Sequence, residues 1–179
     1  MIDYNVFLGL IIILCLILSA FFSGMEIAFV SANHVFVELE RKKDNLVSKT
    51  LSKFYDNRSR FLATMLVGNN AALVVYAFYM GELLMPHLQH WLIPVIPIES
   101  EFSEIIATIV QTVASTVVVL ITAEFLPKSI FLLNPEVFVR VMAIPMRVIW
   151  TLLKFPVQFV VFLSKKIMSS LWIIPKINL

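Results

Sequence analysis

The chain has 179 residues, 60% of them hydrophobic and 15% charged, with a formal net charge of +2 and a mean hydropathy of +0.91. This excludes an ordinary soluble domain and describes an all-α, polytopic membrane protein with room for three or four spans. A single cysteine, Cys15, excludes an intrachain disulfide.

The placement of the charges says more than their sum. Seven basic residues lie between Arg41 and Arg60, seven lie from Lys128 onward, and none occurs in 1–40 or 61–127. The positive-inside rule then puts 31–60 and everything after 127 in the cytoplasm. The N-terminus with Asp3, and the loop with Glu99, Glu101 and Glu104, fall outside. An odd number of spans must precede Lys128.

The first apolar run, about 6–30, is long enough to cross a ~30 Å hydrocarbon core at ~1.5 Å per residue. It lacks the basic start and the cleavage signal of a secretory leader. Ser19-Ala20-Phe21-Phe22-Ser23-Gly24-Met25-Glu26 interrupts it with small and polar residues near its inner end. Ser31-Ala32-Asn33 offers an N-cap to a cytoplasmic segment, 31–60, that reads as one or two short helices against the membrane. The second run, 61–84, carries Gly68-Asn69-Asn70 early and Tyr76 and Tyr79 late. The connector 85–103, with Pro86, Pro94 and Pro97, reads as an irregular external loop. His87 and His90 within it have no third ligand type nearby and read as solvated histidines.

The third run, 105–126, contains one ionisable side chain, Glu124. A carboxylate so placed is costly and marks a functional site by default. Pro127 follows, and its missing N–H frees carbonyls near Ala123. Two readings stand: a cation site, or a helix end at which Glu124 pairs with Lys128 at i,i+4. In the tail, 135–166, Arg140, Arg147, Lys154, Gln158 and Lys165 fall within an arc of about 40° on a helix, with Glu136 beside them. Carrying Arg147 and Lys154 through a bilayer costs about 2.5–3.5 kcal/mol each, so an interfacial belt bent at Pro145 and Pro156 is preferred to a tilted fourth span.

Helix rise places Ser23 about 26 Å below the outer end of its span, Asn69 about 12 Å above the inner end and Glu124 about 29 Å deep. A hydroxyl, an amide and a carboxylate thus meet in the inner half of the bilayer, with a carbonyl at Ala123 as a further oxygen. Each has an ordinary alternative. Ser23-Gly24 can serve close helix approach, Asn69 can hydrogen-bond a neighbouring helix, and Glu26 can snorkel or pair with Lys128. Their coincidence at one depth favours a cation site. Hard oxygens without thiolate or imidazole suit Mg²⁺, Ca²⁺ or Na⁺ rather than Zn²⁺. The spans hold no serine–histidine pair, zinc motif or aspartate pair, so no enzyme is expected, and without a phosphate loop or nucleotide-binding motif neither is a nucleic-acid partner.

Phe21-Phe22-Ser23-Gly24-Met25-Glu26-Ile27-Ala28, Val67-Gly68-Asn69-Asn70 and Ala123-Glu124-Phe125-Leu126-Pro127-Lys128 resemble, in order, three motifs of the CNNM/CorC family. The resemblance covers nearly the whole chain. It implies one transmembrane domain over 1–179, of three spans and a juxtamembrane belt, homodimeric, in the inner (plasma) membrane. It implies that Ser23, Asn69 and Glu124 bind or line a Mg²⁺ site shaped by Gly24, Gly68 and Pro127, with the Ala123 carbonyl as a further ligand. Asn70, Glu26 and Lys128 are secondary positions. The family's implied activity is Mg²⁺ export, with Na⁺ as coupling ion; a Mg²⁺-sensing scaffold is the alternative. Ala123 stands where the family often has glycine, and Leu73 where it has asparagine. The family usually continues into cytoplasmic CBS domains, which these 179 residues do not contain.

Overall fold

The computed structural model describes residues 4–92 and 100–170, and every regular element in them is helical. Apolar side chains fill three helices long enough to span a bilayer: Tyr4–Ser31, Arg58–His90 and Phe102–Leu133. The first is α1 (Tyr4–Ser31) and the second lies within α4 (Arg58–Leu92). The third joins α5 (Ser100–Val119), a π-helical turn (Leu120–Phe125) and α6 (Leu126–Leu133).

Between the first two spans lie α2 (His34–Arg41) and α3 (Leu46–Asp56). The Asn33 side chain accepts from the Val35 N–H and the Asn45 side chain from the Ser48 N–H, so each helix starts on an asparagine cap. The tail forms α7 (Pro135–Val141), α8 (Ala143–Leu152) and α9 (Lys154–Ser170).

α1 is the hub, packed by α4, α6, α7 and the π turn; α5 reaches the bundle mainly through α4. At one end Phe29 stacks on Phe61 at 4.1 Å and on Tyr55 at 4.2 Å, and Phe54 meets Trp150 at 4.9 Å. This core, with Phe22, Met25, Met65, Val139 and Met146, joins α1, α3, α4, α7 and α8. A smaller cluster, Ile12, Cys15 and Tyr76, ties α1 to α4 toward the other end. Outside them the spans expose apolar side chains such as Ile17, Val74, Phe78 and Val113, as a lipid-facing surface does.

Three expectations need correction. The connector is not irregular from residue 85: α4 continues to Leu92 with Pro86 inside it. Proline's fixed φ suits a helix, and one lost hydrogen bond does not end so long a span. Pro94 and Pro97 lie outside the described residues. The third helix does not end at Pro127; it continues to Leu133 by widening to π register just before the proline. The belt is three helices rather than one curved helix, with a 73° bend between α8 and α9. Pro145 and Pro156 are each the third residue of a helix, where the missing N–H has no intrahelical partner to lose.

α2 is tied to the tail by a buried acid. Glu40, only 3% exposed, takes Lys43 Nζ at 2.7 Å and an Arg140 guanidinium nitrogen at 3.1 Å. Burial alone pushes its carboxyl up, but the Lys43 hydrogen bond and the Arg140 and Lys43 charges outweigh burial and hold it below its ordinary value. A depressed folded value contributes stability above the unfolded value that is lost as pH falls through the folded one. Glu40→Gln is therefore expected to destabilise the domain by about 1–3 kcal/mol at neutral pH. In melting curves its deficit should close as the pH drops below the carboxylate range; a deficit independent of pH would refute the assignment.

Candidate cation site

α1 presents Ser19 and Ser23 one turn apart on its buried face, 0% and 1% exposed. Ser19 Oγ donates to Asn69 Oδ1 at 2.6 Å, joining α1 to α4. Ser23 Oγ is buried with no hydrogen-bond partner. Such an orphan costs about 1–3 kcal/mol unless something absent from the bare fold completes it.

The two motif glycines bring these helices together. A Cβ on Gly68 would lie 2.4 Å from the Phe22 ring, and one on Gly24 would lie 2.7 Å from the Phe131 ring. Gly68 therefore seats α1 against α4, and Gly24 seats α6 against α1. Both glycines act through close approach.

In the π turn the Leu126 N–H reaches back five residues to the Ile121 carbonyl. Pro127, next in line, has no N–H, so the following carbonyl, Thr122 in π register or Ala123 in α register, receives none from it. Turns of this kind recur at functional sites. Ala123 and Pro127 are buried here. Glu124 is half-buried, its side chain 32% exposed, and its Oε2 is 3.9 Å from Lys128 Nζ. That distance allows attraction but is too long for a hydrogen bond, so the carboxylate keeps its accepting capacity.

Glu124 lines a cavity of about 330 Å³ between α4 and α5, together with Leu73, Tyr76, Gln111, Ser115 and Thr116. Tyr76 donates its hydroxyl to the Ser115 carbonyl at 3.1 Å, and Ser115 Oγ is buried without a partner. Ser23 and Asn69 do not line this cavity. The expected oxygens thus fall in two groups: Ser19 with Asn69 across the α1–α4 contact, with Ser23 one turn along α1, and Glu124 with Ser115 on the α4–α5 side. α4 belongs to both, through Asn69 and, one turn on, Leu73.

Of the secondary positions, Asn70 is exposed and Glu26 is half-buried. Glu26 makes no ion pair among the described residues; Lys128 lies by Glu124 instead. His87 Nδ1 is 2.9 Å from the Leu83 carbonyl. Among the described residues no three His, Cys, Asp or Glu side chains gather as a metal centre would require.

Sequence reasoning missed Ser19, Ser115 and Gln111. The i,i+4 pairing of Ser19 with Ser23 was the available signal for the first. The other two sit in the Gln111–Ser115–Thr116 stretch of a run otherwise read only for its charge. The family model described as the cyclin M transmembrane N-terminal domain, CNNM, matches residues 10–174. No curated protein matches the chain.

Proposed function

This chain belongs to the cyclin M transmembrane N-terminal domain family, a membrane domain of a Mg²⁺-transporter-related family, and we propose that it moves Mg²⁺ across the membrane. Ser23, Asn69 and Glu124, with the carbonyl of Ala123, are the ligand set, the two groups drawing together around the ion and replacing part of its hydration shell. The observation that carries the reading is the buried, unpartnered Ser23 Oγ next to the Ser19–Asn69 contact. One carboxylate is light for a divalent ion that dehydrates reluctantly, so the ion keeps several waters. Lys128 competes with it for Glu124 and draws back as it binds. Glu26 is the nearest further acid to the inner opening.

The rest of the proposal concerns the setting. The two blocks of basic residues support an N-terminus outside and a cytoplasmic tail, with the site open to the cytoplasm and α7–α9 as an interfacial belt. Transport is outward, with Na⁺ as coupling ion. A symmetric homodimer supplies the walls that three spans lack, and the sparsely buried third span, 11% over its most apolar window, supports a second copy alongside it.

Flux of Mg²⁺ in proteoliposomes carrying a trapped indicator tests the reading. The parent should move Mg²⁺, and Ser23→Ala should lower affinity about tenfold for the loss of one neutral ligand. The same variant should melt no lower than the parent without Mg²⁺, because it removes an orphaned hydroxyl. Binding without flux in the parent would replace transport by a Mg²⁺-sensing scaffold.

A further inference from the structure

A cationic hollow of about 260 Å³ lies between α3 and α8, lined by Lys49, Lys53 and Arg147 with Thr50, Trp150 and Thr151. It is well away from the Glu124 cavity, with which it shares no lining residue. Lys49 is already paired with Asp44 at 2.7 Å. Lys53 and Arg147 make no ion pair among the described residues; Lys53 Nζ stands 5.6 Å from the centre of the Trp150 ring.

The two hydroxyls have committed their protons, Thr50 to the Leu46 carbonyl and Thr151 to the Arg147 carbonyl. Trp150 has not. It is only 5% exposed, and its Nε1 is buried with no partner. An indole N–H can only donate. The hollow therefore gathers two cations that make no ion pair among the described residues, on a wall that includes Trp150, the complement of an anion with several acceptor oxygens, such as a phosphate.

What carries that phosphate is decided by the adjoining surface. An apolar groove of about 860 Å³ shares Arg147 and Thr151 with the hollow and continues along Leu46, Val148, Leu152 and Phe155. These four side chains are 67%, 66%, 76% and 81% exposed. A free phosphate would leave them in water, whereas an acyl chain would cover them. Basic hollows beside membrane helices are where anionic headgroups bind. We propose that the hollow and groove together bind one anionic phospholipid, its phosphate between Lys53 and Arg147 and an acyl chain along α8.

The test uses the full chain in a mild detergent, with melting followed during titration by short-chain phosphatidylglycerol, short-chain phosphatidylcholine or inorganic phosphate. Phosphatidylglycerol should raise the melting temperature saturably, and Arg147→Gln and Lys53→Gln should each weaken its binding about fivefold. Both residues are solvent-facing, so the variants should melt like the parent without lipid, which confirms that they fold. An equal response to phosphatidylcholine would reduce the groove to a nonspecific greasy surface. An equal response to inorganic phosphate would make the hollow a free-anion site. Unchanged phosphatidylglycerol binding in both variants would overturn the assignment. None of these outcomes depends on Mg²⁺ transport.

Discussion

Glu124→Gln is expected to abolish Mg²⁺ flux and to weaken Mg²⁺ binding by on the order of a hundredfold, about 3 kcal/mol. The substitution keeps the side chain's shape and removes its charge, at the one acidic position among the proposed ligands. Glu124→Asp should retain part of both activities, since the charge survives and only retreats by about 1.5 Å, one carbon–carbon bond. Flux and binding measured in parallel on the three proteins make the comparison. If Glu124→Gln bound and moved Mg²⁺ like the parent, the acid would be no more than the partner that Lys128 finds at 3.9 Å, and the site would have to lie among other oxygens.

The second large effect is on stability. A side chain on Gly68 would enter the space of the Phe22 ring, which is 5% exposed and held edge-on to Phe21 at 5.7 Å. Gly68→Val should therefore destabilise the domain by about 1–3 kcal/mol through overpacking, more than the ~1 kcal/mol that leaving glycine can return to a helix. Gly9 provides the control: a Cβ there meets nothing within 4 Å, so Gly9→Ala should raise the melting temperature slightly. Shortening the opposing ring should recover part of the loss, and the double variant Gly68→Val/Phe22→Leu should melt above Gly68→Val. A Gly68→Val protein as stable as the parent would mean that α1 and α4 are not held this closely.

The three spans were legible because an apolar run of bilayer length has few other uses, and the family was legible in three short ordered motifs. Pro127 was read as the place where the third helix could end, but the helix keeps going. The π turn just before the proline is a change of register that no local apolar pattern encodes. Likewise Pro86 read as a breaker, although the helix runs through it to Leu92. The belt's charged stripe suggested one continuous helix. In the fold, Arg140 turns to Glu40 while Arg147 belongs to the hollow by α3, contacts that join residues a hundred positions apart. Ser19 was read only as part of a small, polar interruption of the first run, since a serine among apolar residues looks like packing until Asn69 is found beside it.

The contact between Phe22 and Gly68 also bears on how the domain comes together as it is made. Of the three spans α1 comes earliest in the chain; besides hydroxyls and small residues it carries Glu26 near one end, and with mean hydropathy 2.9 over its best window it can enter the bilayer alone. α4 follows, bringing an amide at Asn69 that gains a partner in Ser19 only if α1 is already in place. The third span, which brings the carboxylate, comes last, and Phe131 on it needs the bare backbone of Gly24 on α1 to settle. Both later spans are more polar than the first and find their seats on helices already inserted. Separate insertion followed by lateral packing is the general route for helical membrane proteins, and here the seats themselves are two hydrogen atoms, one on Gly24 and one on Gly68, where any larger side chain would hold the next helix away.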